Sequence, residues 1–312
     1  MEHKDFSQWY IDQNGPDQLH CFGIKKVLVD YQSRVQRIQI IEIESLGKCL
    51  LIDGKIQSAE KDEFIYHEAL VHPPLLLHPH PRKVLVLGVG EGATIRELLK
   101  YDHLKITGVD IDSEMIDFSR RYLEAWHQGA LNHPHFQLVL QDGWDFMEQT
   151  EELFDVIIMD LPEPYPDTPA YRLYSADFYR MASERLTADG ILATQAETTR
   201  PGQEDHHFFI KNNLSRVFNH TYSYQTYIPS FDSSWGFLLA VKNHLNPLLP
   251  AEAIDRLVRE RIKGQLRFYD GQTHLSMFYL PRYLRPDLEK LTDHLEPSLS
   301  PLDEGGSGSE PS

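Results

Sequence analysis

The chain has 312 residues, of which 41% are hydrophobic, enough for one large core and a smaller domain. Its formal net charge of −17 at pH 7 argues against a nucleic-acid partner, because binding the phosphate backbone needs a basic surface. The same charge suits a cationic small substrate, although acidity also serves solubility. Two cysteines are too few for a disulfide framework, and no apolar run is long enough for a membrane helix, so we expect a cytoplasmic protein.

The first part of the chain is predicted to form a small antiparallel β domain. Short β-branched runs alternate there with turn residues, and Asp53-Gly54 is a strong hairpin signal. The runs predicted as strands are 27–31, 35–44, 48–52 and 55–58. A helix is expected over residues 60–77, ended by the prolines at positions 73, 74, 79 and 81.

From residue 83 onward, apolar strands alternate with helices. The predicted strands are 83–88, 106–110, 136–140, 155–160 and 191–195, with helices at 93–101 and 113–126 and a closing strand pair at 222–228 and 236–241. Repeated strand–helix–strand units predict a parallel, doubly wound α/β sheet of the Rossmann-like, methyltransferase type. The expected organisation is a β-hairpin domain with its linking helix at 1–75, a catalytic domain at 76–244, a helical extension at 245–297 and a disordered tail at 298–312.

An acidic side chain stands inside the glycine-rich loop after the first strand of this sheet, in Leu85-Val86-Leu87-Gly88-Val89-Gly90-Glu91-Gly92-Ala93. Glycine loops between a strand and a helix cradle nucleotide-like ligands. A loop built for phosphate or for an amino-acid carboxylate should avoid a negative side chain. Glu91 therefore predicts a ligand that presents a cation, such as a primary ammonium.

Acidic residues follow the ends of the next three strands, where open α/β sheets bind ligands. Asp110 lies about 20 residues after the glycine loop, a spacing that suits hydrogen bonds to ribose hydroxyls. Asp142 either accepts from an adenine amine or belongs to an ordinary Asp-Gly turn. Asp160 and Glu163 occupy a proline-stiffened loop, where they either bind and deprotonate an amine or are simply solvated.

These positions would serve an adenosine ligand that carries a sulfonium, which makes S-adenosylmethionine methyltransferases the default interpretation. S-adenosylmethionine carries a carboxylate beside its amine, and Glu91 would repel it. The decarboxylated form has only a terminal ammonium, which Glu91 would attract. Repulsion of the commoner cofactor is a known route to specificity, so the decarboxylated form is favoured and the methyltransferase remains an alternative.

The chain resembles the polyamine aminopropyltransferases, which include spermidine, spermine and thermospermine synthases, over most of its length. The motifs that carry the resemblance are Ile52-Asp53-Gly54-Lys55-Ile56-Gln57-Ser58-Ala59-Glu60-Lys61-Asp62-Glu63-Phe64-Ile65-Tyr66-His67-Glu68, the 88–93 loop, Asp110-Ile111-Asp112, Asp142-Gly143 and Asp155-Val156-Ile157-Ile158-Met159-Asp160. The resemblance implies transfer of an aminopropyl group from decarboxylated S-adenosylmethionine, a co-substrate rather than a resident cofactor, to an amine, with release of 5′-methylthioadenosine. It also implies a homodimer or homotetramer and no metal.

The resemblance implies roles for single residues by their position. The residues matching adenosine-binding positions are Gln36, Asp110, Asp142 and Gly143. Glu91, with Gly88 and Gly90 in the same loop, matches the acid that binds the aminopropyl amine. The positions lining the acceptor tunnel are matched by Gln57, Tyr66 and His67. Asp160 matches the proton acceptor, and the chemistry agrees, because an alkylammonium with a pKa of about 10 must lose a proton before it attacks carbon.

Three features depart from a typical spermidine synthase. Glu163 stands where that type has a second aspartate, Phe231 replaces a common tyrosine, and the segment from Asp160 to Tyr174 is longer. Together with Trp235, these features resemble the thermospermine synthase type. They favour an acceptor longer than putrescine, so spermidine is preferred, putrescine comes next and agmatine stays possible.

Two other interpretations remain open. A methyltransferase would release the homocysteine product, and a non-catalytic polyamine-binding module, motivated by Glu163, would bind amines without turnover. The histidines considered as metal ligands are His72, His78, His80, His206 and His207. Their spacing fits no tetrahedral site, so we expect surface or packing roles for them and no bound metal.

Overall fold

Five strands near the amino terminus form an antiparallel sheet in which each strand pairs with the next one along the chain. They are β1 (Trp9–Gly15), β2 (Gln18–Gln32), β3 (Arg37–Ile43), β4 (Gly47–Ile52) and β5 (Lys55–Ala59). The turn between β4 and β5 is the predicted hairpin, with Asp53 and Gly54 both at positive φ. β1 was not predicted. Its apolar residues are the short run Trp9-Tyr10-Ile11, of which Tyr10 alone is buried on this edge strand, and polar residues follow, so the apolar signal was too short to indicate a strand.

This computed structural model describes residues 6–15, 18–166 and 168–285, and the predicted disordered tail at 298–312 lies outside them. The described residues up to Leu280 form one compact unit, and residues 281–285 fall in a second unit. The first unit contains the antiparallel sheet and also the parallel sheet that follows it. None of the described helices is long and apolar enough to cross a lipid bilayer.

Helix α1 (Glu63–Leu77) joins the two sheets and is buried over most of its surface. The predicted end of this helix at Leu77 is confirmed, but Pro73 and Pro74, which were expected to help end it, lie inside it. A proline in a helix removes one backbone donor, which normally breaks the helix. Here the prolines lie near its carboxyl end among fully buried residues, and His78 N still closes the last turn on Pro74 O at 3.0 Å.

Seven strands form the second sheet, in the order β11-β12-β10-β9-β6-β7-β8. They are β6 (Lys83–Leu87), β7 (Lys105–Asp110), β8 (Phe136–Leu140), β9 (Phe154–Met159), β10 (Leu186–Thr198), β11 (His220–Ile228) and β12 (Ser233–Val241). β6 to β10 pair with one another in parallel, and β12 pairs antiparallel with β10 and β11. The doubly wound α/β fold is therefore confirmed. The strand order reverses between β6 and β9, which creates a crevice at their carboxyl ends.

The remaining described helices cover the parallel sheet or extend beyond it. They are α2 (Ala93–Leu98), α3 (Ser113–Tyr122), α4 (Glu124–His127), α5 (Gly143–Gln149), α6 (Ala176–Glu184), α7 (Asp205–Ser215), α8 (Ala251–Arg261) and α9 (Gly271–Phe278). Short 3₁₀ turns occupy Ala130–Asn132, Tyr171–Tyr174, Pro229–Phe231 and Arg282–Leu284. The single helix predicted at 113–126 is interrupted at Leu123, whose backbone leaves the helical region.

A buried carboxylate ties the carboxyl-terminal extension to α1. Glu68 on α1 is fully buried, and its oxygens accept hydrogen bonds from the backbone N–H groups of Arg267, Phe268 and Tyr269 at 2.8–2.9 Å. A buried anion needs such donors to remain stable inside a protein. The segment between α8 and α9 therefore fixes the helix that carries two predicted site residues, Tyr66 and His67.

Candidate active site

All of the predicted site residues line one cavity at the carboxyl ends of β6 and β9, where the strand order reverses. The residues predicted for the nucleotide are Gln36, Gly88, Gly90, Glu91, Asp110, Asp142 and Gly143. Those predicted for the acceptor and for catalysis are Gln57, Tyr66, His67, Asp160, Glu163, Phe231 and Trp235. The first sheet contributes Gln36 and Gln57, so the cavity lies between the two sheets.

The glycine loop packs directly against the predicted catalytic strand end. Gly88 has φ +84°, and a Cβ atom on it would lie 2.1 Å from the backbone oxygen of Asp160. Any larger residue would therefore push Asp160 away, which explains the glycine. The backbone N–H groups of Val89 and Gly90 donate to Asp110 Oδ2 at 2.9 and 3.0 Å.

Asp110 is held by three backbone donors, since Asp112 N also donates to its Oδ1 at 2.8 Å. Burial raises the pKa of the Asp110 carboxyl, and these donors oppose that rise. Next to it, Asp112 caps α3 and accepts from Ser33 Oγ at 2.7 Å and Gln36 Nε2 at 3.2 Å. The predicted ribose and adenosine positions are thus joined in one polar network that links the first sheet to the second.

Asp142 is the N-cap of α5 rather than part of a simple turn. Its Oδ1 accepts from Trp144 N at 2.8 Å and lies 2.6 Å from the guanidinium of Arg172. Arg172 also lies over the Trp144 ring, 5.4 Å from its centre. The Oδ1 atom of Asp142 is therefore bound both by the Trp144 N–H and by the Arg172 guanidinium. Gly143 follows directly and lines the same end of the cavity.

Both carboxylate oxygens of Asp160 accept hydrogen bonds from hydroxyl groups. Tyr66 donates to Oδ1 at 2.8 Å and Thr94 donates to Oδ2 at 2.6 Å. Burial raises the pKa of Asp160, whereas the nearby His67 cation and the two hydroxyls lower it. The net shift is upward, so this carboxylate is a stronger base than an exposed aspartate and suits proton transfer.

Glu91 is paired with a protonated histidine. His67 Nε2 lies 3.2 Å from Glu91 Oε1, and its Nδ1 lies 2.9 Å from Glu63 Oε2. Glu63 in turn receives both terminal nitrogens of Arg96, at 3.0 and 2.9 Å. Burial alone would lower the pKa of His67, but the hydrogen bonds to Glu63 and Glu91 raise it to about 10. Glu91 is therefore fixed by a buried cation while its side chain still lines the cavity.

Glu163 points into the cavity beside a second buried carboxylate. Gln57 Nε2 donates to Glu163 Oε2 at 3.3 Å. Burial and then the charge of Glu197 raise the pKa of Glu163 to about 7. Glu197 Oε1 is buried without a hydrogen-bond partner among the described residues, and His206 Nδ1 lies 3.8 Å from it. Two neighbouring acids of this kind form a site that a cation would stabilise.

Aromatic rings form one wall between these carboxylates. Phe231 lies with its ring centre 6.1 Å from that of Tyr66 and 4.8 Å from that of Trp235. Trp235 Nε1 is buried and has no partner within the described ranges. Beyond Phe231 and Trp235, a second cleft continues past Glu163 and Glu197. The cavity is therefore extended, with apolar walls and acidic groups spaced along it.

Sequence reasoning missed three residues of this site. Thr94 was seen only as part of a helix. Gln195 lines the cavity and donates to Tyr174 Oη at 2.8 Å, and Glu197 has a strained φ of +63°. The signal for the last two was available, since both lie at the carboxyl end of the fifth parallel strand, β10, beside the ends of the strands that carry the predicted acids. Strain of this kind is concentrated at functional sites.

The histidines set aside from the sequence have structural partners. His72 lies 3.0 Å from Tyr101 Oη and 3.1 Å from Glu97 Oε2, and burial lowers the pKa of His207 to about 4. Within the described ranges, no three His, Cys, Asp or Glu side chains are grouped so as to hold a metal ion.

Two family models match the chain. The model of the spermine/spermidine synthase domain matches residues 63–249, and that of the spermidine synthase tetramerisation domain matches residues 8–60. The boundary between these matches falls where the first sheet ends and α1 begins.

Curated relatives and solved structures agree with these matches. A polyamine aminopropyltransferase of Sulfurisphaera tokodaii is 45% identical over 285 residues, covering 90% of this chain and 93% of the relative. That of Sulfolobus acidocaldarius is 41% identical over 283 residues, covering 90% and 93%. A spermidine synthase in complex with the transition state analogue AdoDATO superposes with a TM-score of 0.83 at 28% identity, covering 91% of this chain and 97% of that one. The spermidine synthase of Thermotoga maritima superposes with a TM-score of 0.80 at 28% identity, covering 91% of this chain and 96% of that one.

Proposed function

The chain belongs to the spermine and spermidine synthase family and is a polyamine aminopropyltransferase, and from this premise we propose its reaction and its substrates. It moves an aminopropyl group from decarboxylated S-adenosylmethionine to a polyamine and releases 5′-methylthioadenosine. The observation that carries this proposal is the series of carboxylates Glu91, Asp160 and Glu163 along one cavity with an apolar wall. Such a series matches substrates whose charges are ammonium groups on a hydrocarbon chain.

Separate sets of residues bind the nucleotide and the amine acceptor. Glu91 binds the ammonium of the aminopropyl group, Asp110 binds the ribose and Asp142 the adenine amine. Gln36 supports that end through Asp112. The residues that let the backbone approach the nucleotide are Gly88, Gly90 and Gly143. Glu91 would repel the methionine carboxylate, which favours the decarboxylated nucleotide over S-adenosylmethionine.

The reaction is a displacement at carbon. The neutral amine nitrogen attacks the propyl carbon bound to sulfur, the carbon–sulfur bond breaks, and its electron pair returns to sulfur, which leaves as a thioether. The acceptor loses its proton to Asp160, which Tyr66 and Thr94 hold in place. Because the sulfonium is already a good leaving group, alignment of nitrogen, carbon and sulfur supplies much of the rate.

The acceptor we propose is spermidine, giving thermospermine or spermine, with putrescine second and agmatine third. Two features support a long acceptor. Glu163 and Glu197 form an acidic pair beyond Asp160, and the second cleft continues past them. A triamine places a further ammonium there after its reacting amine reaches Asp160. Gln57 and the rings of Phe231 and Trp235 would flank the hydrocarbon segments between the charges.

We also propose that the protein is a homodimer or homotetramer joined through the β1–β5 sheet. The match to a tetramerisation domain covers this sheet, and its first two strands expose Trp9, Ile11 and Leu19. Exposed apolar patches of this kind mark interfaces. Light scattering coupled to gel filtration measures the mass in solution, and a monomer at micromolar concentration would contradict this part of the proposal.

The deciding experiment offers putrescine, agmatine and spermidine together with decarboxylated S-adenosylmethionine. Chromatography identifies the polyamine products and measures 5′-methylthioadenosine. We expect the tetraamine to dominate. The same mixture with S-adenosylmethionine tests the methyltransferase alternative, which would release S-adenosylhomocysteine. Binding of amines with no product from either nucleotide would favour the non-catalytic module and overturn the proposal.

A further inference from the structure

We propose that Thr94 is a positioning residue for the proton acceptor: its hydroxyl donates to Asp160 Oδ2 at 2.6 Å and, with Tyr66 on Oδ1, fixes the plane of the carboxylate. This inference rests on the proposed function and adds a residue to it. Thr94 lies in the first turn of α2 and is not among the residues that line the cavity, so its effect passes through Asp160.

Three neighbouring elements hold Asp160 from different directions. Its backbone N donates to Leu87 O at 2.8 Å at the end of β6, and its backbone oxygen lies against Gly88. Its side chain is bound by Tyr66 from α1 and by Thr94 from α2. Thr94 is 1% exposed, so water does not replace its hydroxyl if that group is removed. The carboxylate then loses one of two donors and regains freedom to rotate.

Thr94 also affects how readily Asp160 ionises. The charged and titratable groups facing Asp160 are Tyr66 and His67 from α1 and Glu91 from the glycine loop. Burial and the charge of Glu91 favour the protonated acid, whereas His67 and the two hydroxyls favour the carboxylate. Removing the Thr94 donor therefore raises the pKa of Asp160. The acidic limb of the pH profile, where the base becomes protonated, moves to higher pH.

The test compares three variants. T94V keeps the shape of the side chain and removes the donor, and T94S keeps the donor. T187V is the matched control. Thr187 Oγ1 donates to Asp155 at 3.1 Å, and Asp155 lies at the start of β9, the opposite end of that strand from Asp160 and away from the cavity. We expect T94V to lower kcat about 10- to 100-fold, as loss of a hydrogen bond to a charged group predicts. The Kd for decarboxylated S-adenosylmethionine should stay within about twofold.

The pH profile distinguishes a positioning role of Thr94 from a general loss of structure in the variant. T94V should shift the acidic limb of the kcat profile to higher pH. T94S should restore both kcat and the wild-type position of that limb, and T187V should leave both unchanged. A T94V profile that coincides with wild type, or a T94S variant as impaired as T94V, would overturn the proposal. If T94V is insoluble, T94A removes the same donor without adding a methyl group in its place, and the same outcomes apply.

A direct measurement of the Asp160 pKa tests the role of Thr94 independently of the proposed reaction. Carbon-13 NMR of labelled aspartate reports the pKa of Asp160, with D160N identifying its signal, whether or not any amine is turned over. A higher pKa in T94V supports the Thr94 inference even if the enzyme uses another acceptor. An unchanged Asp160 pKa in T94V overturns the inference even if polyamine synthesis is confirmed.

Discussion

His67 and Glu91 form an ion pair, with 3.2 Å between Nε2 and Oε1, in the wall of the cavity. The glutamate is fixed by this pair and does not depend on a ligand to order it. The imidazolium also offsets part of its charge. An incoming ammonium must therefore approach the side of the carboxylate that His67 leaves free, which makes the pocket directional.

The first prediction concerns the charge of Glu91. E91Q should weaken binding of decarboxylated S-adenosylmethionine by about 10- to 100-fold, because the amide no longer attracts the ammonium. The affinity of E91Q for S-adenosylmethionine should fall little or rise, since the carboxylate of that nucleotide is no longer repelled. Isothermal titration calorimetry measures both. E151Q removes one exposed negative charge elsewhere and is the control. Equal losses for both nucleotides would refute charge selection by Glu91.

The second prediction concerns stability and pH. The pKa of His67 is raised from 6.5 to about 10, so its contribution to stability is complete below pH 6.5 and is lost as pH rises toward 10. H67Q should lower the free energy of unfolding by about 3–5 kcal/mol near pH 6, because it leaves Glu91 without its cation and removes one of the two cations that contact Glu63, the other being Arg96. Denaturant unfolding should show the difference shrinking above pH 8. A difference independent of pH would mean that His67 is neutral in the native state.

The third prediction separates binding from chemistry at Asp160. D160N should bind decarboxylated S-adenosylmethionine with near wild-type affinity and lower kcat by about 10²- to 10⁴-fold, since the amide cannot take the proton. Single-turnover release of 5′-methylthioadenosine measures the step. Near wild-type turnover in D160N would remove Asp160 from this role.

The fourth prediction uses the pKa of Glu163, which is raised to about 7. The carboxyl is neutral below that pH and ionised above it, so its attraction for the acceptor appears as pH rises. The ratio of the acceptor KM of E163Q to that of wild type should therefore increase about tenfold between pH 6 and pH 8. Taking the ratio cancels the ionisation of the acceptor itself. A constant ratio would place Glu163 away from the bound amine.

The fifth prediction tests the contact between the glycine loop and Asp160. Gly88 and Gly54 have similar positive φ angles, +84° and +82°, but a Cβ atom would clash with Asp160 only at Gly88 and would meet nothing at Gly54. G54A should lower the free energy of unfolding by about 1 kcal/mol through φ strain and keep its activity. G88A should lose both more stability and most of its turnover. Thermal unfolding and initial rates compare them, and equal effects would exclude the contact.

Much of the architecture could be predicted because it depends on local patterns. Apolar strands that end in glycine or aspartate specified the parallel sheet, and the carboxyl ends of such strands meet along one edge. Gly88, Asp110 and Asp160 therefore came together as expected. The turn at Asp53-Gly54 was equally local, since two residues with positive φ decide it.

The features that were not predicted depend on packing between distant segments. The break at Leu123 and the prolines inside α1 follow from burial that no local signal reports. Thr94 belongs to the site only because α2 passes beside the end of β9, 66 residues further along the chain. The pairing of His67 with Glu91 likewise requires α1 and the glycine loop to be placed against each other first.

The bonds from Glu68 to the backbone of residues 267–269 have a consequence for biosynthesis. A nascent chain that has not yet reached Arg267 holds an anion in an apolar helix with no donors to neutralise it. Helix α1 then cannot settle into its final packing, even though both sheets are already synthesised. We therefore expect Tyr66 and His67 to be fixed in place only after residues 267–269 have left the ribosome, so a product truncated before Arg267 should lack an ordered cavity at this end.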